Sequence, residues 1–353
     1  MGLIIYSLIL LASFYLLARV CDNYFVEALD KISVKLKMSS DMAGATLMAV
    51  GSSAPELFVA LIALLKPGGH EAIGMGTIIG SALFNILVII GVAAAVKKAV
   101  LNWQPVVRDT LFYSLSIVIL LITFWDGVIS WGEAGVFLLV YLVYLLAIVN
   151  WKKIFSYKDK AEDIETPEEK EEEKPKEGAK KILIPLDKLL DKLYPASRYY
   201  YKVFFISIVI IGFLSWALVE SAVGIAEILQ IPSAVIALTV LAIGTSVPDL
   251  LSSIIVAKQG RGGMAISNAI GSNIFDILIG LALPWFVILS FSPRLIKVST
   301  ENLLSSIMLL FATVLVIFFL LLMRRWKIGH RAGYFLIGLY VLYLAWSLLN
   351  IFL

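Results

Sequence analysis

The chain has 353 residues, 60% of them hydrophobic and 16% charged, with 29 Lys and Arg against 26 Asp and Glu and a net charge of +3. A soluble protein of this length carries about 25% charged residues, and apolar runs of roughly 18 or more recur here, so the composition excludes a soluble globular fold and marks a polytopic membrane protein. A single cysteine, Cys21, excludes an intrachain disulfide and a cysteine-built metal site.

Residues 3–18 form the first apolar segment. It has no positive charge before it and no A-x-A-like site after it, and Arg19 follows, so a retained membrane helix is expected rather than a signal peptide. Residues 20–40 are polar and amphipathic, with Lys31, Lys35 and Lys37. Helix two is expected over 41–65, ended by Lys66-Pro67-Gly68-Gly69, and helix three over 71–96, ended by Lys97-Lys98. Helices four and five are expected near 107–125 and 131–150, with the turn Asp126-Gly127 between them.

The stretch 151–198 breaks the pattern. Ten acidic residues fall between Asp159 and Glu177, a composition that cannot bury enough apolar surface to fold alone and reads as a solvated linker. Leu183, Leu186, Leu189, Leu190 and Leu193 then recur at helical spacing beside lysines, the pattern of a helix lying on a membrane surface. Five more helices are expected near 203–226, 233–257, 264–290, 302–323 and 332–351. His70 and His330 fall in loops, where solvation is the expected state.

The two halves share a motif. Gly44–Leu57 reads G-A-T-L-M-A-V-G-S-S-A-P-E-L and Ala237–Leu250 reads A-L-T-V-L-A-I-G-T-S-V-P-D-L, with Gly51, Pro55 and Glu56 each 193 positions before Gly244, Pro248 and Asp249. A second pair, Gly80–Leu87 and Gly271–Leu278, is offset by 191. Two pairs in the same order are an internal duplication. Each proline lacks an N–H, so Pro55 frees the carbonyl of Gly51 and Pro248 that of Gly244. A carboxylate in mid-membrane costs about 2.5–3.5 kcal/mol on insertion scales. Interrupted helices at corresponding places in two halves point to a transporter's binding site, the alternative being a proline kink with a snorkelling acid.

Outside the linker, the loops after helices one, three, seven and nine hold thirteen Lys and Arg, with Arg108 counted among them, and those after helices two, four, six and eight hold three. The positive-inside rule then puts both termini outside and the linker in the cytoplasm of a cell-membrane protein. Five helices per half is odd, so the second copy is inverted. The expected fold is an all-α membrane protein of about ten transmembrane helices in two inverted five-helix repeats: 1–150, the linker 151–198, and 199–353.

Placed face to face, the halves set Glu56 opposite Asp249 and Asn85 opposite Asp276. Ser52, Ser53, Thr245, Ser246, Ser81 and Ser272 surround them, so every donor is an oxygen. Hard cations prefer such sites, and calcium accepts 6–8 oxygens at flexible distances, whereas magnesium demands a stricter octahedron. The serines have an alternative role in close helix packing. The acids have no lysine or arginine partner in the predicted mid-membrane parts of either core, so a cation from outside the chain is the simplest one.

Gly44–Asn85 and Ala237–Trp285 resemble the two alpha-repeats of the cation/calcium exchanger superfamily, and most of all its potassium-dependent sodium/calcium exchanger branch. The residues that carry this are Ser39–Thr46, Gly51–Glu56 and Gly80–Gly91, then Gly244–Asp249, Ala257–Gly260, Gly271–Gly280 and Pro284-Trp285. The resemblance implies that Glu56 and Asp249 are central calcium ligands, with carbonyls added by Ser52 and Thr245. It implies that sodium uses these acids, carbonyls near Ala49 and Ala242, and the hydroxyls of Ser53, Ser246, Ser81 and Ser272. Asp249 stands where potassium-independent exchangers usually have glutamate, and Asp276 where the animal ones usually have asparagine, which favours the potassium-dependent branch. Some microbial potassium-independent exchangers also have an aspartate matching Asp276. The linker is much shorter than the regulatory loop of animal exchangers.

The expected function is exchange of sodium for calcium, with potassium accompanying calcium, by alternating access. The partners are inorganic cations and the lipid bilayer, with no prosthetic group and no nucleic acid, and a monomer suffices. A potassium-independent or proton/calcium exchanger is the alternative within the class, and a cation channel the alternative outside it. No nucleophile–base pair accompanies the buried acids, so enzymatic chemistry is not expected.

Overall fold

The computed structural model describes residues 2–36, 38, 42, 44–155, 190, 193–195, 199–258, 260–291, 295–297 and 301–352. Among them, apolar helices follow one another as α1 (Gly2–Leu29), α2 (Ala45–Ser52 and Ala54–Leu65, bent by 51°), α3 (Glu71–Val96), α4 (Trp103–Thr123) and α5 (Trp131–Trp151). The second set is α6 (Tyr200–Leu229), α7 (Ser233–Lys258), α8 (Gly262–Phe291), α9 (Leu303–Met323) and α10 (His330–Phe352). The shortest unbroken ones have 21 residues. At 1.5 Å per residue that is about 32 Å, enough for a hydrocarbon core of roughly 30 Å. The acidic stretch 159–177 and Leu183, Leu186 and Leu189 lie outside the described residues, as do Ser39, Ser40, Asp41 and Ala43.

Local chemistry sets the ends. Ser130 and Glu133 form a reciprocal capping box at the start of α5, satisfying backbone donors that the first turn leaves open. Gln230 closes α6 in the left-handed region at φ 55°, and Pro232 follows. The first helix differs from expectation. It continues through Arg19 by one widened turn, Cys21–Phe25, and on to Lys35, with Leu17, Val20, Cys21 and Phe25 buried.

Arg108 lies inside α4, within the span expected for helix four, 1% exposed, with Nε 2.7 Å from Asp109 Oδ1. The neighbouring carboxylate makes this burial possible, since a buried charge persists when paired and hydrogen-bonded. Moving Arg108 out of the loop count leaves twelve basic residues against three, so the bias keeps its sign.

Two short strand pairs reveal the inversion. β1 (Ala99–Val100), after α3, pairs antiparallel with β4 (Lys327–Ile328), after α9. β2 (Val128–Ile129), after α4, pairs antiparallel with β3 (Ile296–Lys297), after α8. Exchanging the two sets of helices turns one pair into the other. Paired loops must share a side, so the ends of α3 and α9 lie together and the ends of α4 and α8 lie together. That holds only if the second repeat crosses in the opposite sense.

Close helix approach repeats the symmetry. A Cβ on Gly80 of α3 would run into the Leu238 carbonyl of α7, and one on Gly271 of α8 would meet Ala45 Cα of α2 at 3.1 Å. Gly80 and Gly271 are equivalent, and so are Ala45 and Leu238. Small residues admit such backbone contact between membrane helices.

Most buried apolar residues fall into two clusters, beside a small third one of Met48, Ala93, Val256, Ala257 and Ala265. The larger runs through α3, α4, α5, α8, α9 and α10. The smaller joins α1 and α6, with Ala54, Val59 and Ala63 of α2 and Ile236, Ala237 and Leu241 of α7.

Candidate cation site

The helix breaks occupy equivalent positions. α2 breaks at Ser53, with φ −89° and ψ 5°, and α7 at Ser246, with φ −85° and ψ 2°. Pro55 and Pro248 follow by two residues, and Glu56 and Asp249 sit in the first turn of the resumed helix. A helix N-terminus carries partial positive charge, so each break favours the carboxylate it presents. The Ala49 carbonyl accepts from Ser53 N–H at 2.9 Å, and that of Ala242 from Ser246 N–H at 3.3 Å.

Widened turns with i→i+5 bonding mark the same regions in both halves: Gly44–Met48 and Ala237–Leu241, then Asn85–Ile89 and Asp276–Leu281. Asn85 and Asp276 each open one. Such bulges loosen the backbone ladder and recur at functional sites.

Every polar residue proposed from the sequence for the site is fully buried: Glu56, Asp249, Asn85, Asp276, Ser52, Ser53, Thr245, Ser246, Ser81 and Ser272 are each 0% exposed. Glu56 Oε1 accepts from Ser81 Oγ and Ser246 Oγ, both at 3.4 Å, and those two hydroxyls are 2.8 Å apart. Asp249 Oδ1 accepts from Ser272 Oγ at 3.0 Å and Asn268 Nδ2 at 3.3 Å, and Oδ2 from Asn85 Nδ2 at 3.4 Å. The Ser81–Glu56 bond and the Ser272–Asp249 bond are equivalents under the repeat. Ser52 Oγ turns back to the Met48 carbonyl at 2.9 Å, and Thr245 Oγ1 to the Leu241 carbonyl at 3.0 Å.

Several oxygens are left over. Ser53 Oγ, Glu56 Oε2, Asn85 Oδ1, Asn268 Oδ1 and both carboxylate oxygens of Asp276 are buried without a hydrogen-bond partner. A buried unsatisfied acceptor costs about 1–3 kcal/mol, more if charged. Six in one region, all oxygen, fit a hard cation, which supplies what a hydrogen-bond donor would. The recorded bonds to Glu56 and Asp249 come from hydroxyls and amides, and Arg108 sits with Asp109 elsewhere. Among the described residues no three His, Cys, Asp or Glu side chains gather tightly enough to hold one ion. An ion here therefore draws on amide, hydroxyl and carbonyl oxygens as well as acids.

Asn268 and Asn273 were missed from the sequence. A legible signal existed: Asn268, Ser272 and Asp276 fall at i, i+4 and i+8, one face of a helix, as do Thr77, Ser81 and Asn85. Thr77 turns its hydroxyl to the Ile73 carbonyl at 2.8 Å, the packing role open to any membrane threonine.

Two inverted five-helix repeats, each with a broken helix presenting a buried acid, define a multi-pass membrane transporter. The chain belongs to the sodium/calcium exchanger protein family, which it matches over residues 6–150 and 199–349. It is 29% identical to sodium/potassium/calcium exchanger 2 of Gallus gallus, over 95% of this chain and 76% of that protein. It is 26% identical to sodium/potassium/calcium exchanger 4 of Homo sapiens, over 95% of this chain and 79% of that protein. The solved sodium-calcium exchanger NCX_Mj, soaked with sodium and strontium, superposes with a TM-score of 0.62 at 25% identity, covering 97% of this chain and 99% of that one.

Proposed function

We propose that the chain is a secondary antiporter moving calcium one way against sodium the other, with potassium accompanying calcium. The observation that carries this is the set of unpartnered buried oxygens around Glu56, Asp249 and Asp276. Glu56 and Asp249 serve as the central calcium ligands, joined by the amide oxygen of Asn85 and by carbonyls of Ser52 and Thr245. Sodium uses the same acids, the hydroxyls of Ser53, Ser81, Ser246 and Ser272, and the carbonyls of Ala49 and Ala242. Shared ligands force competition, and competition at one site is what couples the two fluxes.

Charge balance supports potassium. Three ionised acids carry one more negative charge than calcium neutralises, and an uncompensated buried ion costs several kcal/mol. Potassium beside Asp276 cancels it. The names of the curated relatives agree. The structural likeness to a sodium-calcium exchanger favours a second reading, in which potassium is not carried.

Access alternates as α1 and α6 move against the other eight helices. The apolar cluster in which α1 packs on α6, though it also takes in residues of α2 and α7, supports their moving together. The halves 1–150 and 199–353 each supply one core motif, the linker and the basic loops face the cytoplasm, both termini face outside, and one copy suffices.

The test is calcium uptake into proteoliposomes holding the purified chain, with sodium, potassium and proton gradients imposed singly. Uptake that needs an outward sodium gradient and is stimulated by external potassium is expected. Uptake driven by a proton gradient alone overturns the sodium reading, and full uptake in potassium-free buffer overturns the potassium one.

A further inference from the structure

An asparagine is a directional ligand: one end of its amide can hold a cation and the other end repels it. Asn85 is 0% exposed and opens the widened turn of α3, where nothing in its own helix fixes which end faces the ion. Its surroundings do. Asn85 Nδ2 donates to Asn273 Oδ1 at 2.9 Å and to Asp249 Oδ2 at 3.4 Å. Asn273, also 0% exposed, donates its own Nδ2 to the Ala82 carbonyl at 3.1 Å and to the Tyr113 hydroxyl at 3.0 Å.

The chain of bonds has one anchor that cannot reverse. A backbone carbonyl only accepts, so the Ala82 oxygen holds the nitrogen end of Asn273 toward itself. The oxygen end of Asn273 is then the end that meets Asn85, and Asn85 must offer nitrogen. The remaining end of Asn85 is Oδ1, which has no partner.

The repeat supplies a control. Under the offset of 191 residues, Asn85 corresponds to Asp276 and Asn273 to Ala82. The half whose site residue is an amide faces an orienting asparagine. In the half whose site residue is a carboxylate, alike at both ends, the position equivalent to Asn273 is an alanine, with no amide to orient it.

We propose that Asn273, held by Ala82 and by Tyr113 of α4, is a positioning residue that fixes the Asn85 amide with its oxygen toward the transported cation. This rests on the reading of the site as a calcium site. Without Asn273 only the longer bond to Asp249 Oδ2, at 3.4 Å, holds the nitrogen end of Asn85, and the site presents nitrogen for part of the time.

The experiment is a double-mutant cycle read as the KM and maximal rate of sodium-driven calcium uptake by the purified full chain in proteoliposomes. Asn273→Ala is expected to raise the calcium KM about tenfold, the cost of one misdirected buried polar group, with the maximal rate kept. Asn85→Asp makes both ends of the ligand oxygen, so adding Asn273→Ala to it is expected to change KM less than twofold. Tyr113→Phe loosens Asn273 without opening a cavity. It is expected to raise KM two- to threefold in the wild-type background and to leave it unchanged in the Asn85→Asp background. That variant carries the test if Asn273→Ala does not fold by size-exclusion and melting behaviour. Equal KM shifts in both backgrounds, or no shift in either, overturn the proposal while leaving the calcium reading intact. A wild type that takes up no calcium under a sodium gradient overturns the calcium reading, and the orienting role with it.

Discussion

Ser81 and Ser246 meet with their hydroxyl oxygens 2.8 Å apart, one from each repeat, and both reach Glu56 Oε1 at 3.4 Å. The first repeat's acid is thus held partly by the second repeat. Ser52 and Thr245, next to the breaks, donate their hydroxyls to carbonyls of their own helices, and Ser52 Oγ also lies 3.4 Å from Ser272 Oγ.

A hydroxyl whose proton is committed to a carbonyl of its own helix, as at Thr245, is expected to matter less for ion binding than Ser246, which bonds Glu56 and Ser81 across the repeats. Ser246→Ala is expected to raise the sodium concentration for half-maximal exchange about two- to tenfold, the range for one lost hydrogen-bonding group. Thr245→Val, which keeps the shape, is expected to leave it within twofold. Sodium titration of calcium exchange in proteoliposomes checks both.

The crossing of α3 and α7 gives a stability prediction. A Cβ on Gly80 collides with the Leu238 carbonyl and with Ala242 Cβ, whereas one on Gly271 finds its nearest atom, Ala45 Cα, at 3.1 Å. Gly80→Ala is expected to cost about 1–3 kcal/mol, the usual range for overpacking a tight contact, and Gly271→Ala less. Melting of the two purified variants in detergent orders them. A Gly80→Ala protein as stable as wild type contradicts the close approach.

Deleting Glu162–Glu177 is expected to leave exchange nearly unchanged. The stretch is densely charged and reads from its composition as a solvated linker, and halving a linker alters its closure cost by only about 0.6 kcal/mol. Loss of calcium-stimulated activity in a folded deletion protein shows instead that the stretch regulates.

Asp276→Asn is expected to make exchange independent of potassium. Both Asp276 oxygens and the Ser53 hydroxyl are buried with no hydrogen bond of ordinary length. Asparagine keeps the shape and one oxygen while removing the charge that potassium balances. Calcium uptake measured with and without potassium, for wild type and variant, reads this directly.

The fold was legible because membrane helices declare themselves by length and hydropathy, and the inversion because an odd helix count divides two copies of one motif. Glu56, Asp249 and their prolines stood out because a buried acid beside a proline has no inexpensive structural role. Arg108 has its partner in the adjacent residue, Asp109, and sequence alone does not show whether such a pair is buried or solvated. Its burial also depends on α5 and α8, whose Tyr144 and Ser267 bind Asp109 at 3.2 and 3.1 Å. Asn273 was hidden for another reason: its contacts run to Ala82, Asn85 and Tyr113, all more than 150 residues away in the chain. The widened turns at Asn85 and Asp276 arise from backbone registration, which residue type does not reveal.

The central claim is that the buried oxygens around Glu56 and Asp249 belong to a cation, and equilibrium calcium binding to purified protein tests it most directly. The wild type is expected to bind calcium saturably, with sodium as a competitor. Glu56→Gln and Asp249→Asn, each removing one charge with little change in volume, are expected to weaken binding about a hundredfold or more and to abolish exchange while the protein stays folded. Calcium binding by either folded variant with wild-type affinity contradicts the account.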